Sequence, residues 1–206
     1  MRCVNNRGVL IVVSSPSGGG KGSVLKRLTE LNDNIRISVS ATTRAPREGE
    51  IDGVNYNFIS KSEFKELISN RDMLEYAEYC GNYYGTPKNI IEDWLSNGDD
   101  VILEIEVQGA AQVREKCPDS VSVFILPPSM KVLSERLRGR GTESDEIVEK
   151  RLSKAFEEIK QAENYDYVII NDSLDRCVQD FCNIINAEKM KSSRNINLIK
   201  EVLEND

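Results

Sequence analysis

Histidine is absent from all 206 residues, and that absence excludes more chemistry than any residue present adds. A Ser-His-Asp or Cys-His nucleophilic centre cannot be built, nor a metal centre resting on imidazole. Catalysis in such a chain has to come from lysine, arginine, carboxylates, hydroxyls and backbone. The cysteines (Cys3, Cys80, Cys117, Cys177, Cys182) are odd in number and never in C-x-x-C spacing. They offer neither a disulfide framework nor a zinc knot and point to reduced thiols in a cytoplasm. Long apolar runs are missing too: the longest aliphatic stretch, Val9 to Val13, falls far short of the roughly 20 residues of a membrane-spanning helix. The opening MRCVNNRG leads into no signal-like apolar segment, so neither export nor a membrane partner is expected. Positive charge is in deficit, with 27 Lys plus Arg against 34 Asp plus Glu and a formal net charge of -7. That balance argues against nucleic acid as the main ligand, because nonspecific affinity comes from neutralising phosphates. Small anions remain open where cations cluster locally. The oligomeric state is not readable.

What is present reads as an α/β fold. The hydrophobic period switches repeatedly between two and about three and a half. Aliphatic runs at Val9–Val13, Val101–Val107, Val121–Leu126 and Tyr167–Ile170 suit a buried parallel sheet. Helical stripes lie between them: Val24, Leu25, Leu28 and Leu31; then Val148, Leu152, Ala155, Phe156 and Ile159. Thr86 and Pro87 predict a capped helix that turns Ile90, Ile91, Trp94 and Leu95 inward and stops at Gly98. Ser60 and Glu63 form a capping-box pattern ahead of Phe64, Leu67 and Ile68. Residues 37–86 differ, with short Tyr, Phe and Val segments broken by turn residues, as in a small antiparallel sheet inserted into the core. RLRGRGTES, from Arg136 to Ser144, is too charged and glycine-rich to continue the helix before it and predicts a mobile flap. The polar tail carries a weak helical stripe at Ile196, Ile199, Val202 and Leu203, read as a docked or frayed terminal helix.

The most informative segment is SSPSGGGKGS, Ser14 to Ser23, directly between the first aliphatic strand and the first helix. A phosphate-binding loop needs glycines that turn successive N–H groups into one cavity, a helix N-terminus, and a lysine that reaches the terminal phosphates. Gly18, Gly19, Gly20 and Lys21 supply these. Two positions depart from G-x-x-x-x-G-K-[ST]: Ser15 replaces the first glycine, and Gly22 stands where a magnesium-binding hydroxyl is usual, with Ser23 one residue later. In ILEIEVQG, strand alternation puts Glu104 and Glu106 on one face. Two carboxylates in an aliphatic strand require a cation, a donor or water opposite them. A basic cluster follows at Arg136, Arg138 and Arg140, then Lys150 and Arg151. Beside a phosphate loop, such cations suit phosphoryl transfer, which needs charge around the equatorial oxygens and exclusion of water.

SPSGGGKGS, SVSATTRAPREGEIDGVNYNF, EYCGNYYGT, LEIEVQGA, ILPPS and RLRGRGTES, in this order and spacing over most of the chain, resemble the guanylate kinase family. The resemblance implies a P-loop nucleoside monophosphate kinase fold. Its parts would be a three-layer core with a parallel sheet (1–36, 98–130 and 152–190), a small mixed or antiparallel GMP-binding lobe (37–97), a helical lid (131–151) and a tail (191–206). It implies conversion of ATP and GMP into ADP and GDP with Mg²⁺.

Carried over by position, Ser15, Pro16, Ser17, Gly18, Gly19, Gly20, Lys21, Gly22, Ser23 and Asn171 would bind ATP. Lys21, Arg136, Arg140 and Arg151 would surround the transferring group. Arg44 and Arg47, with the hydroxyls of Tyr56 and Tyr84, would hold the GMP phosphate. Ser40, Glu75 and Thr86 would read guanine, with Gly85, Glu104 and Glu106 completing that site. The family commonly has aspartates where Glu104 and Glu106 stand. With no side chain at Gly22, Mg²⁺ would be held mainly through ATP phosphates and water rather than by a firm protein ligand. The alternative reading is a non-catalytic guanylate-kinase-like module that binds protein ligands; the intact Lys21 and lid arginines oppose it.

Overall fold

Every residue of the first strand, β1 (Leu10–Ser14), is buried. Ile11 and Val13, with the preceding Val9, enter one apolar cluster, while Leu10 and Val12 enter another on the opposite face. A strand covered on both sides has no wet face for polar residues, so it reads as an uninterrupted aliphatic run. The computed structural model describes residues 7–139 and 144–204. After β1 come α1 (Lys21–Leu31), β2 (Ile35–Ile37), β3 (Ala41–Thr42), β4 (Asn57–Phe58), α2 (Lys61–Ser69), β5 (Met73–Tyr79), β6 (Asn82–Pro87) and α3 (Lys88–Ser96). Then follow β7 (Asp100–Glu104), α4 (Val107–Lys116), β8 (Val121–Leu126), α5 (Met130–Arg138), α6 (Asp145–Lys160), β9 (Tyr167–Ile170), α7 (Leu174–Lys189) and α8 (Ile196–Glu204).

Five strands form a parallel sheet in the order β2-β7-β1-β8-β9. Val24, Leu25 and Leu28 of α1 and Val178, Phe181 and Ile185 of α7 cover one face. Ile91 and Leu95 of α3, with Ala110 and Val113 of α4, cover the other. The early strands β2 and β7 lie on one side of β1, the late strands β8 and β9 on the other. The loop leaving β1 therefore emerges at the switch point where open α/β sheets bind ligands.

A second, mixed sheet runs β4-β3-β6-β5, parallel only between β3 and β4. It encloses its own small core of Ala41, Phe64 and Met73. Helix α2 starts as expected: Ser60 Oγ accepts from the Glu63 N–H while the Glu63 carboxylate accepts from the Ser60 N–H. Helices α5 and α6 pack together through Leu133, Leu137, Val148 and Ala155. Arg138 links the two, pairing with Asp145 and Glu149.

Several sequence expectations are corrected. The strand expected over 101–107 ends at Glu104, because its register with β1 ends at Val13 opposite Glu104, beyond which β1 runs one residue further against β8 alone. Glu106 is instead the N-cap of α4, so strand alternation does not relate it to Glu104. Thr86 stays in β6 and does not cap α3, whose N-cap is Pro87. Three residues read as inward-facing are exposed, Leu31 (57%), Ile90 (47%) and Phe156 (52%), because each lies at the margin of a stripe wider than its helix contact. Phe156 lies instead under the Lys160 ammonium. Helix α5 does not break at Arg136 but runs on to Arg138, since buried Leu137 anchors its last turn. The tail forms α8, yet its stripe is not docked: Ile196, Ile199, Val202 and Leu203 are all exposed. Cys3, Arg140 and the centre of the expected flap lie outside the described residues. Among those described, no helix is long and apolar enough to cross a membrane.

Candidate nucleotide site

The Ser14–Ser23 segment is a tight loop set against the N-terminus of α1. Ser14 anchors its start, its hydroxyl donating to the Ile105 carbonyl at 2.8 Å. The Gly19 N–H donates to the Pro16 carbonyl at 2.8 Å. Gly18 and Gly20 take φ of 88° and 89°, a region that costs other residues about 1–2 kcal/mol. At Gly20 a side chain would also meet the Asn171 amide. Lys21, the first residue of α1, is largely buried and lies 3.8 Å from a Glu104 oxygen. Burial pushes its ammonium below the ordinary lysine value, opposed by Glu104, Glu106 and Glu158. The space beside Gly22 is open and Ser23 is exposed.

The lid base and the end of the sheet meet on this loop. Asn171, buried just after β9, donates from Nδ2 to the Gly19 carbonyl at 3.0 Å. Arg136 of α5 donates to the Asn171 carbonyl at 2.8 Å and reaches toward the Gly19 carbonyl at 3.5 Å. The structure thus joins Gly19, Asn171 and Arg136, three positions distant in sequence. Arg151 lies on α6, partly buried.

The second sheet gathers the other group. Arg44 forms a two-pronged pair with Glu50, both contacts at 2.9 Å, and its guanidinium lies 5.5 Å from the Tyr56 ring centre. Tyr84 packs edge-on to Tyr56 at 6.0 Å. Glu50 also accepts from the Arg47 backbone N–H at 2.7 Å. The Arg44 guanidinium, helped by that N–H, holds the Glu50 carboxyl below its usual range. Glu75 and Thr86 face each other across β5 and β6. Glu75 is 5% exposed and accepts from the Thr86 hydroxyl at 2.7 Å. Burial pushes the Glu75 carboxyl above its ordinary value, opposed by that hydrogen bond. Gly109 of α4 leaves room for it, since a side chain there would crowd Glu75 Oε2 at 2.9 Å. Ser40 immediately precedes β3 and is partly buried, and Gly85 is buried within β6.

The guanylate kinase family profile matches residues 7–188. Guanylate kinase of Clostridioides difficile is 52% identical over 195 residues, covering 95% of each chain. The chain belongs to the guanylate kinase family. Guanylate kinase of Neisseria meningitidis is 49% identical over 97% of each chain. A crystal structure of guanylate kinase from Anaplasma phagocytophilum is 41% identical, with a TM-score of 0.72 over 91% of this chain and 89% of that one. Nothing among these relatives supports the non-catalytic alternative.

Within this guanylate kinase fold, the residues singled out by sequence form two groups. Lys21, Glu104, Arg136 and Asn171 gather at the β1 loop, whereas Tyr84, Glu75 and Thr86 lie in the strands of the second sheet and Arg44 and Tyr56 in the segments flanking them. Glu106 joins neither group directly; it meets Lys154 of α6 at 3.4 Å. Sequence reasoning missed Glu50, Lys154 and Glu158. Glu50 had a usable signal, a carboxylate six residues beyond Arg44 in a turn-rich segment. The other two read as ordinary helix-surface charge.

Proposed function

We propose that this chain transfers the γ-phosphoryl group of ATP to GMP, giving ADP and GDP, a reaction that recycles GMP in the cytoplasm. The observation that carries the reading is the buried Glu75 carboxylate, hydrogen-bonded by Thr86, in a protein that also sets Lys21 in a glycine-rich loop at a strand end. Guanine offers two N–H donors along its Watson-Crick edge, which one carboxylate accepts together; adenine puts an acceptor there. A site built for hydrogen bonds leaves its own polar groups unpaired when the wrong base enters, which supports discrimination of about 10⁴-fold. Ser40 and Thr86 add hydroxyls for the base. Arg44 and Arg47, with Tyr56 and Tyr84, suit a phosphate dianion, because guanidinium forks bind it through paired directional bonds.

At the other substrate, the loop of residues 15–23, through its available backbone N–H groups (Pro16 has none, and that of Gly19 is held by the Pro16 carbonyl) and the Lys21 ammonium, receives the ATP phosphates, with Asn171 at the adenine side. Arg136, Arg140 and Arg151 supply positive charge around the transferring group. No general base is needed: the acceptor phosphate has a second pKa near 6 and is already nucleophilic at neutral pH. Positioning and charge neutralisation therefore provide most of the acceleration.

The donor set near Lys21 fits a hydrated Mg²⁺ carried by ATP. Among the described residues no three His, Cys, Asp or Glu side chains cluster as ligands, and Mg²⁺ commonly keeps several waters beside substrate phosphates. Glu104, beside Lys21, is the carboxylate that would hold those waters. When bound, the ion offsets charge on the phosphate oxygens. The test is ADP release with ATP and GMP, with AMP as the comparison. Rapid turnover with GMP and little with AMP is expected; equal rates would refute the role of Glu75, and no turnover by folded protein would refute the reaction.

A further inference from the structure

Strand β5 is the outer strand of the second sheet, so the backbone groups along its free side have no neighbouring strand to pair with. At Tyr76 a side chain takes that place. The Tyr76 N–H donates to Gln112 Oε1 at 3.3 Å, and Gln112 Nε2 donates to the Tyr76 carbonyl at 3.0 Å. A glutamine amide carries donors and an acceptor in one plane, as a peptide group does, and so can pair with both groups of one residue. Gln112 belongs to α4, a helix of the parallel-sheet core. Gly109, a turn earlier on the same face, lies against the Glu75 carboxylate, where an added Cβ would come within 2.9 Å of Oε2. Lys116, a turn later, holds its ammonium 5.8 Å from the Tyr76 ring centre. These three residues form a stripe on α4 that meets β5 at Glu75 and Tyr76.

We propose that Gln112 is a positioning residue for the Glu75 carboxylate, its two-sided clamp on the Tyr76 backbone fixing the base-reading side chain in place relative to the nucleotide loop. The proposal rests on the reading of Glu75 as the group that accepts the guanine N–H donors. The register of β5 with β6 shifts between Met73 and Glu75, and such an irregularity interrupts the ladder and re-aims a nearby side chain. On that side β6 holds Glu75 less firmly; on the other, the next residue is the one Gln112 grips. Helix α4 is in turn tied to the loop that carries Lys21. Its N-cap, Glu106, follows Ile105, whose carbonyl accepts from the Ser14 hydroxyl at 2.8 Å. One helix thus runs from the loop to the base-reading strand. A carboxylate that must meet two N–H donors together tolerates little play, because hydrogen bonds weaken steeply with misalignment. The groups assigned to the GMP phosphate, Arg44, Arg47, Tyr56 and Tyr84, lie outside β5, so a loosened β5 costs contacts to the base.

The experiment is a double-mutant cycle in the full-length protein, read by steady-state ADP release with GMP and ATP each varied in turn. Gln112→Met keeps the side chain's length and removes both hydrogen bonds. Its KM for GMP should rise at least about fivefold while kcat changes less than about twofold and KM for ATP stays at the wild-type value. Thermal unfolding should hardly move, because water replaces two solvent-exposed bonds. Glu75→Gln is the second arm. If Gln112 acts through Glu75 the penalties are not additive, so adding Gln112→Met to Glu75→Gln should lower kcat/KM for GMP by less than about twofold more. A general defect of the second sheet would add in full. Additive penalties, equal losses for GMP and ATP, or a wild-type KM for GMP in Gln112→Met overturn the proposal. If Glu75→Gln alone leaves kcat/KM for GMP unchanged, the guanine role of Glu75 falls and this proposal with it; a loss in Glu75→Gln with none in Gln112→Met sinks the proposal alone.

Discussion

Replacing Glu75 with Gln should raise stability and lower activity at the same time. The carboxylate is 5% exposed, and burial holds it above its ordinary value. A carboxyl raised in the folded state favours folding most when protonated, below its unfolded value, and loses that contribution as pH rises through the folded value. At pH 7 the wild type therefore bears the cost of ionising, or of holding a proton on, a buried carboxyl, a cost the amide avoids while its oxygen still accepts from Thr86. Glu75→Gln should melt at or above the wild-type temperature at pH 7, and the advantage should shrink toward pH 4. Activity moves the other way. A carboxylate accepting two guanine N–H groups makes two charge-assisted bonds; the amide keeps one neutral acceptor and turns an NH₂ group toward a donor. With such bonds worth about 1.5–3 kcal/mol each, a net loss of about 2–4 kcal/mol lowers kcat/KM for GMP roughly 30- to 1,000-fold. Coupled ADP release at saturating ATP with varied GMP measures this, beside thermal unfolding at both pH values. A loss below about threefold, or a clear drop in melting temperature at pH 7, would refute the reasoning.

Lys21→Ala should lower kcat at least about 10²-fold while circular dichroism stays native, because it removes charge stabilisation from the transition state; a near-wild-type rate would contradict that role. Arg44→Ala should raise KM for GMP by about tenfold or more with little change for ATP, and a larger effect on ATP would mean the two sites are interchanged. The same variant frees Glu50, whose carboxyl should rise toward its ordinary range in an NMR titration. Gly20→Ala combines a left-handed backbone with a clash at the Asn171 amide and should cost about 2 kcal/mol or more in urea unfolding; an unchanged midpoint would exclude both penalties.

The parallel sheet and the nucleotide loop were legible because each is locally encoded. Val9 to Val13 announces a strand buried on both faces, and the glycines before Lys21 require a backbone few other residues adopt. The boundaries around Glu104 and Thr86 were not, because they depend on where a partner strand ends. Alternation alone carried the strand to Val107, whereas the pairing with β1 ends at Val13 and Glu104. Glu158 escaped notice for a related reason: its burial comes from tertiary packing of α6, which a charged helical sequence does not reveal. Arg138 likewise read as one more basic residue beside a phosphate loop, yet it serves as a strut between two helices.

The arginine of α5 that rests on the carbonyls of Gly19 and Asn171 changes when disorder is lost. A free guanidinium side chain carries about 2 kcal/mol of rotamer entropy, and a cation recruited from solvent would surrender it afresh at every encounter. Here that freedom is relinquished once, as the chain folds, so under the role proposed for Arg136 repeated cycles would begin from a charge already in register. The expense falls on the stability of the native state and not on each turnover.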